Sequence, residues 1–132
     1  MSGGALLAAL AAPLAAAQAG LLAADELVYH ARRGLGAVER WSHLADALAF
    51  SAALAPAALL APSARALLLY AALAALSTLL VTKDEWIHAA ECAPGEHWAH
   101  AALFSLHPAV LIAVGALWTR GEGAALRSAL PL

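Results

Sequence analysis

The sequence predicts an all-α membrane protein, a four-transmembrane-helix up-down-up-down bundle built from a duplicated two-helix unit. Three observations predict it. The 132 residues have a mean hydropathy of +0.78 and only 12% charged residues, a balance for which a soluble domain of this size has too little polar surface. Four apolar stretches, about Ala5–Ala24, Leu44–Pro62, Ala64–Thr82 and Ala99–Thr119, each approach the ~20 residues that a bilayer-spanning helix needs. A polar motif occurs twice, after the first stretch and again after the third.

The first stretch follows Met1-Ser2-Gly3-Gly4, which has no basic residue. Its apolar run is long for a secretory signal, so it is read as a membrane helix. Gly34 and Gly36 punctuate the first connection, Ala61-Pro62-Ser63 the second and Cys92-Ala93-Pro94-Gly95 the third. Such short links make successive helices antiparallel. Ser63 suits the cap of the third helix and Pro94 the start of the fourth. Ala and Gly dominate every span, which lets helix backbones approach closely where lipid competes for apolar surface. The expectation is one domain over residues 1–132, with repeats at about 5–62 and 64–120.

The repeat rests on named residues. Glu39, Trp41 and His43 recur as Glu96, Trp98 and His100, 57 positions on; His30 recurs as His88, 58 on, and Asp25-Glu26 as Asp84-Glu85, 59 on. Two copies of a two-span unit share one topology, related by a pseudo-twofold axis along the membrane normal.

This motif places carboxylates and imidazoles at four helix ends. Glu26 and His30 close the first helix and Asp84, Glu85 and His88 the third; Glu39 and His43 open the second and Glu96 and His100 the fourth. Spacings of three and four put each set on one helix face. The predicted metal ligands are Glu26, His30, Glu39, His43, Asp84, Glu85, His88, Glu96 and His100, converging on a dinuclear site. Carboxylates with imidazoles suit iron, zinc or manganese, and a single cysteine, Cys92, excludes an all-cysteine site within one chain. Acids near helix C-termini oppose the helix dipole by ~0.3–1 kcal/mol each, so a cation should sit among them. Arg32, Arg33, Arg40 and Lys83 can also supply that charge, which keeps open a purely structural salt-bridge network. Haem held by two histidines is a further alternative.

Asp46 and His107 are candidates for outer support of the ligands or for a proton path. His107 lies seven residues beyond His100, ~10 Å deeper, and is alternatively satisfied by a facing Ser or Thr. Arg32 and Arg33 are candidates to hold an anionic substrate or lipid headgroup. Trp41, Trp86 and Trp98 suit interfacial anchors, and Gln18 and Tyr70 suit interhelical hydrogen bonds.

The pattern resembles the ferritin-like di-iron carboxylate proteins in residue type only. Those use Glu-x-x-His, whereas this chain has Glu-x-x-x-His in three of its four sets, and it is not assigned to that family.

A formal charge of −2 and a pI near 6.3 argue against a nucleic-acid partner. No Gly-x-Ser-x-Gly elbow or phosphate loop occurs. The expected function is an integral, multi-pass membrane metal-binding protein. It is either a metalloenzyme acting by oxidation or hydrolysis on a lipid-like or quinone-like substrate, a component moving metal ions or protons, or a non-catalytic assembly subunit. Its surroundings are the bilayer and a further copy or a partner membrane subunit. Basic residues are nearly balanced between the two ends, with the cluster placed on the cytoplasmic side.

Overall fold

The computed structural model describes residues 3–34, 36–83, 89–90 and 92–121. It is all-helical, with no strand among the described residues. Helix α1 (Gly3–Ala24) continues through a π-helical segment (Asp25–His30) into the single turn α2 (Ala31–Arg33), which ends at Gly34. Gly34 has φ +78°, a conformation that only glycine adopts readily. The other helices are α3 (Ala37–Leu59), α4 (Ala64–Leu80) and α5 (Pro94–Thr119).

Alanine and leucine make these segments strong helix formers, and their ends follow local chemistry. Glu39 reaches back to accept the Gly36 N–H at 3.1 Å, closing the start of α3. Ser63 Oγ accepts the Ala66 N–H at 3.2 Å and caps α4, and Pro94 takes the first position of α5, where no backbone N–H is needed. Both were expected from sequence. Pro13, Pro56 and Pro108 lie inside helices.

The helices run alternately up and down. The end of α1 meets the start of α5 through Asp25 and His100, and the end of α4 meets α3 through Lys83 and Asp46. At the opposite end Trp118 Nε1–H donates to the Leu60 carbonyl at 2.9 Å. Helix α1 packs chiefly on α5 and α3 chiefly on α4, while α5 also touches α3 and α4. Near the Leu60 end, the Tyr70 hydroxyl donates to the Leu111 carbonyl, and its ring lies 5.6 Å from that of Trp118. Gly115 makes room for it, since a Cβ there would stand 2.8 Å from Tyr70 Cε1. Gln18 hydrogen-bonds across to α5, so both expected interhelical groups serve that purpose.

Polar and apolar residues are distributed against the habit of a water-soluble bundle. Leu27, Val38, Leu48, Leu68, Leu79 and Ile112 are exposed, whereas Asp25, His30, Glu39, Glu96, His100 and His107 are buried. Trp41 and Trp98 are exposed at the level of the polar cluster. Among the described residues, Ala37–Leu59 and Pro94–Thr119 are long and apolar enough to cross a membrane, and Ala64–Leu80 is a shorter apolar helix of 17 residues.

Candidate metal centre

The cluster is organised by the π segment. The Ala31 N–H bonds to the Glu26 carbonyl, five residues back, so the turn is wider than an α turn. At the about 100° per residue of an α-helix, Asp25 and His30 would point about 140° apart. The wider turn brings both inward, and both are buried.

Four buried side chains then converge from the end of α1 and the start of α5: Asp25, His30, Glu96 and His100, each 2–4% exposed. One donor atom from each lies within 4.8 Å of all the others. His100 Nε2 is 3.1 Å from Asp25 Oδ1, while His30 Nε2 is 3.4 Å from Asp25 Oδ2 and 3.7 Å from Glu96 Oε1. Two ligands of a common ion, each at about 2.0–2.2 Å from it, stand roughly 3.0–3.5 Å apart. The observed separations are close to that spacing. Neither ring nitrogen of His30 makes a hydrogen bond to any described residue, although the ring is surrounded by carboxylates. Such a buried ring is costly unless a proton or a metal ion lies between it and those oxygens.

A second group shares His30. Its Nδ1 is 3.6 Å from Glu26 Oε1, and the same oxygen is 3.8 Å from His43 Nδ1 on α3. The rings of His30 and His43 meet edge-on with centroids 4.6 Å apart. This group is more open, because Glu26 is 51% exposed and His43 half-buried.

Electrostatically, burial pushes the Asp25 carboxyl up. The hydrogen bond from His100 and the charges of His100, His30 and His43 outweigh it and hold the group below its ordinary value. Metal ligation requires both imidazoles to be neutral; with them the two carboxylates would carry −2, which one divalent ion neutralises.

Of the ligands expected from sequence, the structure brings together Glu26, His30, His43, Glu96 and His100. Glu39 is buried, with an oxygen on the Gly36 N–H, and belongs to neither group. Asp84, Glu85 and His88 lie outside the described residues. Asp46 pairs with Lys83 at 2.6 Å. His107, deeper in α5, has Ser77 Oγ at 2.9 Å from Nε2 and Gln18 Nε2 at 3.4 Å from Nδ1, so the facing-serine alternative describes its contacts. Arg32 is exposed on α2. Asp25, not among the ligands expected from sequence, joins the buried group, because α-helical spacing would pair His30 with Glu26 instead.

Beneath the cluster lies a cavity of about 310 Å³. Asp25, Glu26, His43 and His100 line its upper end, and Gln18 and His107 its lower end. Compared with known protein families, characterised proteins and solved structures, the chain shows no significant match.

Proposed function

We propose that this chain is a multi-pass membrane protein that holds a divalent metal centre at one end of its helix bundle. Asp25, His30, Glu96 and His100 bind one ion; Glu26 and His43, against the other nitrogen of His30, form a second, more open position. The observation that carries this reading is the convergence of four buried donors on one point, with His30 hydrogen-bonded to none of them. The exposed leucines and the two long apolar helices support lipid as the solvent. Charged groups inside such a bundle are expensive, and pairing them on an ion offsets the cost.

Imidazole and carboxylate together favour iron, zinc or manganese. An ion here supplies Lewis acidity beside an apolar cavity, which suits oxidation or hydrolysis of a lipid-soluble substrate. The chain's own contribution is to orient the ligands: the π segment turns Asp25 and His30 to one side, where both are buried.

The Asp25–His100 hydrogen bond favours a second reading, a metal-free ion-pair network with protonated histidine. Elemental analysis of detergent-purified protein separates the two, with circular dichroism to confirm helicity. The metal reading predicts about two equivalents per chain, about one after either Glu26→Gln or His100→Ala, and nearly none after both. A helical wild type that carries no metal, and regains none when iron, zinc or manganese is added, leaves the ion-pair network.

A further inference from the structure

The cavity beneath the cluster has three features that together define a ligand. Its walls are aromatic, since both phenylalanines of the chain, Phe50 and Phe104, line it. Its two ends are polar, the metal cluster above and Gln18 with His107 below. Seven residues of α5 separate His100 from His107, so the ends stand about 10 Å apart. Its side is open. Leu22 on α1 and Ala47 and Ser51 on α3 line it and are themselves exposed, so the opening lies between α1 and α3, whose main packing is on other helices. In a membrane-spanning bundle that opening faces hydrocarbon, and the ligand arrives from the bilayer.

The lower end states what the ligand must offer. Gln18 is 4% exposed, with its amide nitrogen turned to His107, and its Oε1 is buried without a hydrogen bond from any described residue. His107 cannot supply one, because its other nitrogen is engaged with Ser77. A buried acceptor of this kind is destabilising until a donor reaches it. The tail of an acyl chain ends in a methyl group and leaves it unpaired. An oxidised quinone presents only acceptors. A hydroquinone is flat enough for the aromatic walls and carries a hydroxyl at each end of its ring.

We propose that this cavity binds a membrane-soluble hydroquinone, with one hydroxyl donated to Gln18 Oε1 and the other oxygen facing the metal cluster. The upper contact rests on the metal reading above; the Gln18 contact stands apart from it. An alkyl substituent leaves through the opening between α1 and α3.

The test titrates a decyl-substituted 1,4-hydroquinone, under anaerobic conditions, into the metal-loaded full chain in detergent. Metal content is measured on the same sample. The matching quinone, the di-O-methyl ether and decanoic acid are titrated in parallel. The expected result is saturable binding of the hydroquinone, about tenfold tighter than the quinone or the ether, consistent with one buried hydrogen bond. Gln18→Leu should erase that preference with metal content unchanged. The ligand comparison on the wild type tests the donor without any substitution, so a misfolded variant leaves a result in hand. Equal binding of all four compounds, or no saturable binding by metal-loaded protein, overturns the proposal and leaves the metal centre standing. A metal-free chain that still prefers the hydroquinone in a Gln18-dependent way overturns the metal reading and supports the Gln18 contact.

Discussion

Replacing Asp25 by asparagine changes the charge of the site and little else. The side chain keeps its size and an oxygen for the His100 Nε2–H, 3.1 Å away, but the second oxygen, 3.4 Å from His30 Nε2, becomes an amide nitrogen. With a divalent ion bound, the four-residue position goes from neutral to +1 in a buried setting. Losing an outer partner of a ligand typically weakens metal binding 10–100-fold, so losing a ligand should cost about 100-fold or more. At free metal near 100 times the wild-type Kd, binding stabilises the fold by about 2.7 kcal/mol. A 100-fold weaker site at the same metal concentration retains about 0.4 kcal/mol, so about 2 kcal/mol of metal-dependent stability disappears. The assay is thermal unfolding in detergent with and without chelator. Wild-type Tm should fall on chelation, and the Asp25→Asn transition should fall by clearly less. A variant that retains the full chelator-sensitive shift of the wild type, or a wild type that has none, refutes Asp25 as a ligand.

Other perturbations separate metal binding from packing. Metal occupancy should fall on acidification, because protons compete with the ion for its ligands, and measuring metal content across a pH series reads this directly. In metal-free protein Asp25 is held below its ordinary value of 3.8; its contribution to stability is complete above that value and is lost as pH falls through the depressed one. Asp25→Asn should therefore flatten the acid limb of the metal-free unfolding profile. Gly115→Ala places a Cβ 2.8 Å from Tyr70 Cε1 and should cost about 1–3 kcal/mol, seen as a lower Tm with metal content unchanged. Ser77→Ala removes the 2.9 Å partner of His107 and should cost about 1 kcal/mol, again with no metal loss.

The helices and their antiparallel order are written in the spacing of the apolar stretches, and the gathering of Glu26, His30, His43, Glu96 and His100 in their positions at helix ends. The identity of the donors is only partly legible. Glu39 and Glu96 sit three residues into their helices, with the same partner four residues on. Glu39 closes back onto the Gly36 N–H, while Glu96 faces His30. Nothing in the sequence distinguishes them, because the difference is set by what each helix start meets across the bundle.

The π segment is not legible in the sequence for a related reason. Asp25-Glu26-Leu27-Val28-Tyr29-His30 reads equally well as α-helix, and its wider turn promotes Asp25 to the position assigned to Glu26. A trace does exist in the sequence. Asp25 and His30 are five residues apart, whereas Asp84 and His88 are four apart, and a π turn absorbs one such additional residue. The cavity was illegible because Gln18, Phe50 and Phe104 come from three helices and share no local spacing. Each reads alone as an ordinary packing residue.

The most direct test of a carboxylate and histidine metal centre is an X-ray absorption spectrum at the edge of whichever metal copurifies with the detergent-solubilised chain. The expected spectrum has a first shell of nitrogen and oxygen at about 2.0–2.2 Å, with outer-shell scattering from imidazole that weakens in His100→Ala. A sulfur shell, which only Cys92 or Met1 can supply, or a first shell without imidazole scattering would contradict it.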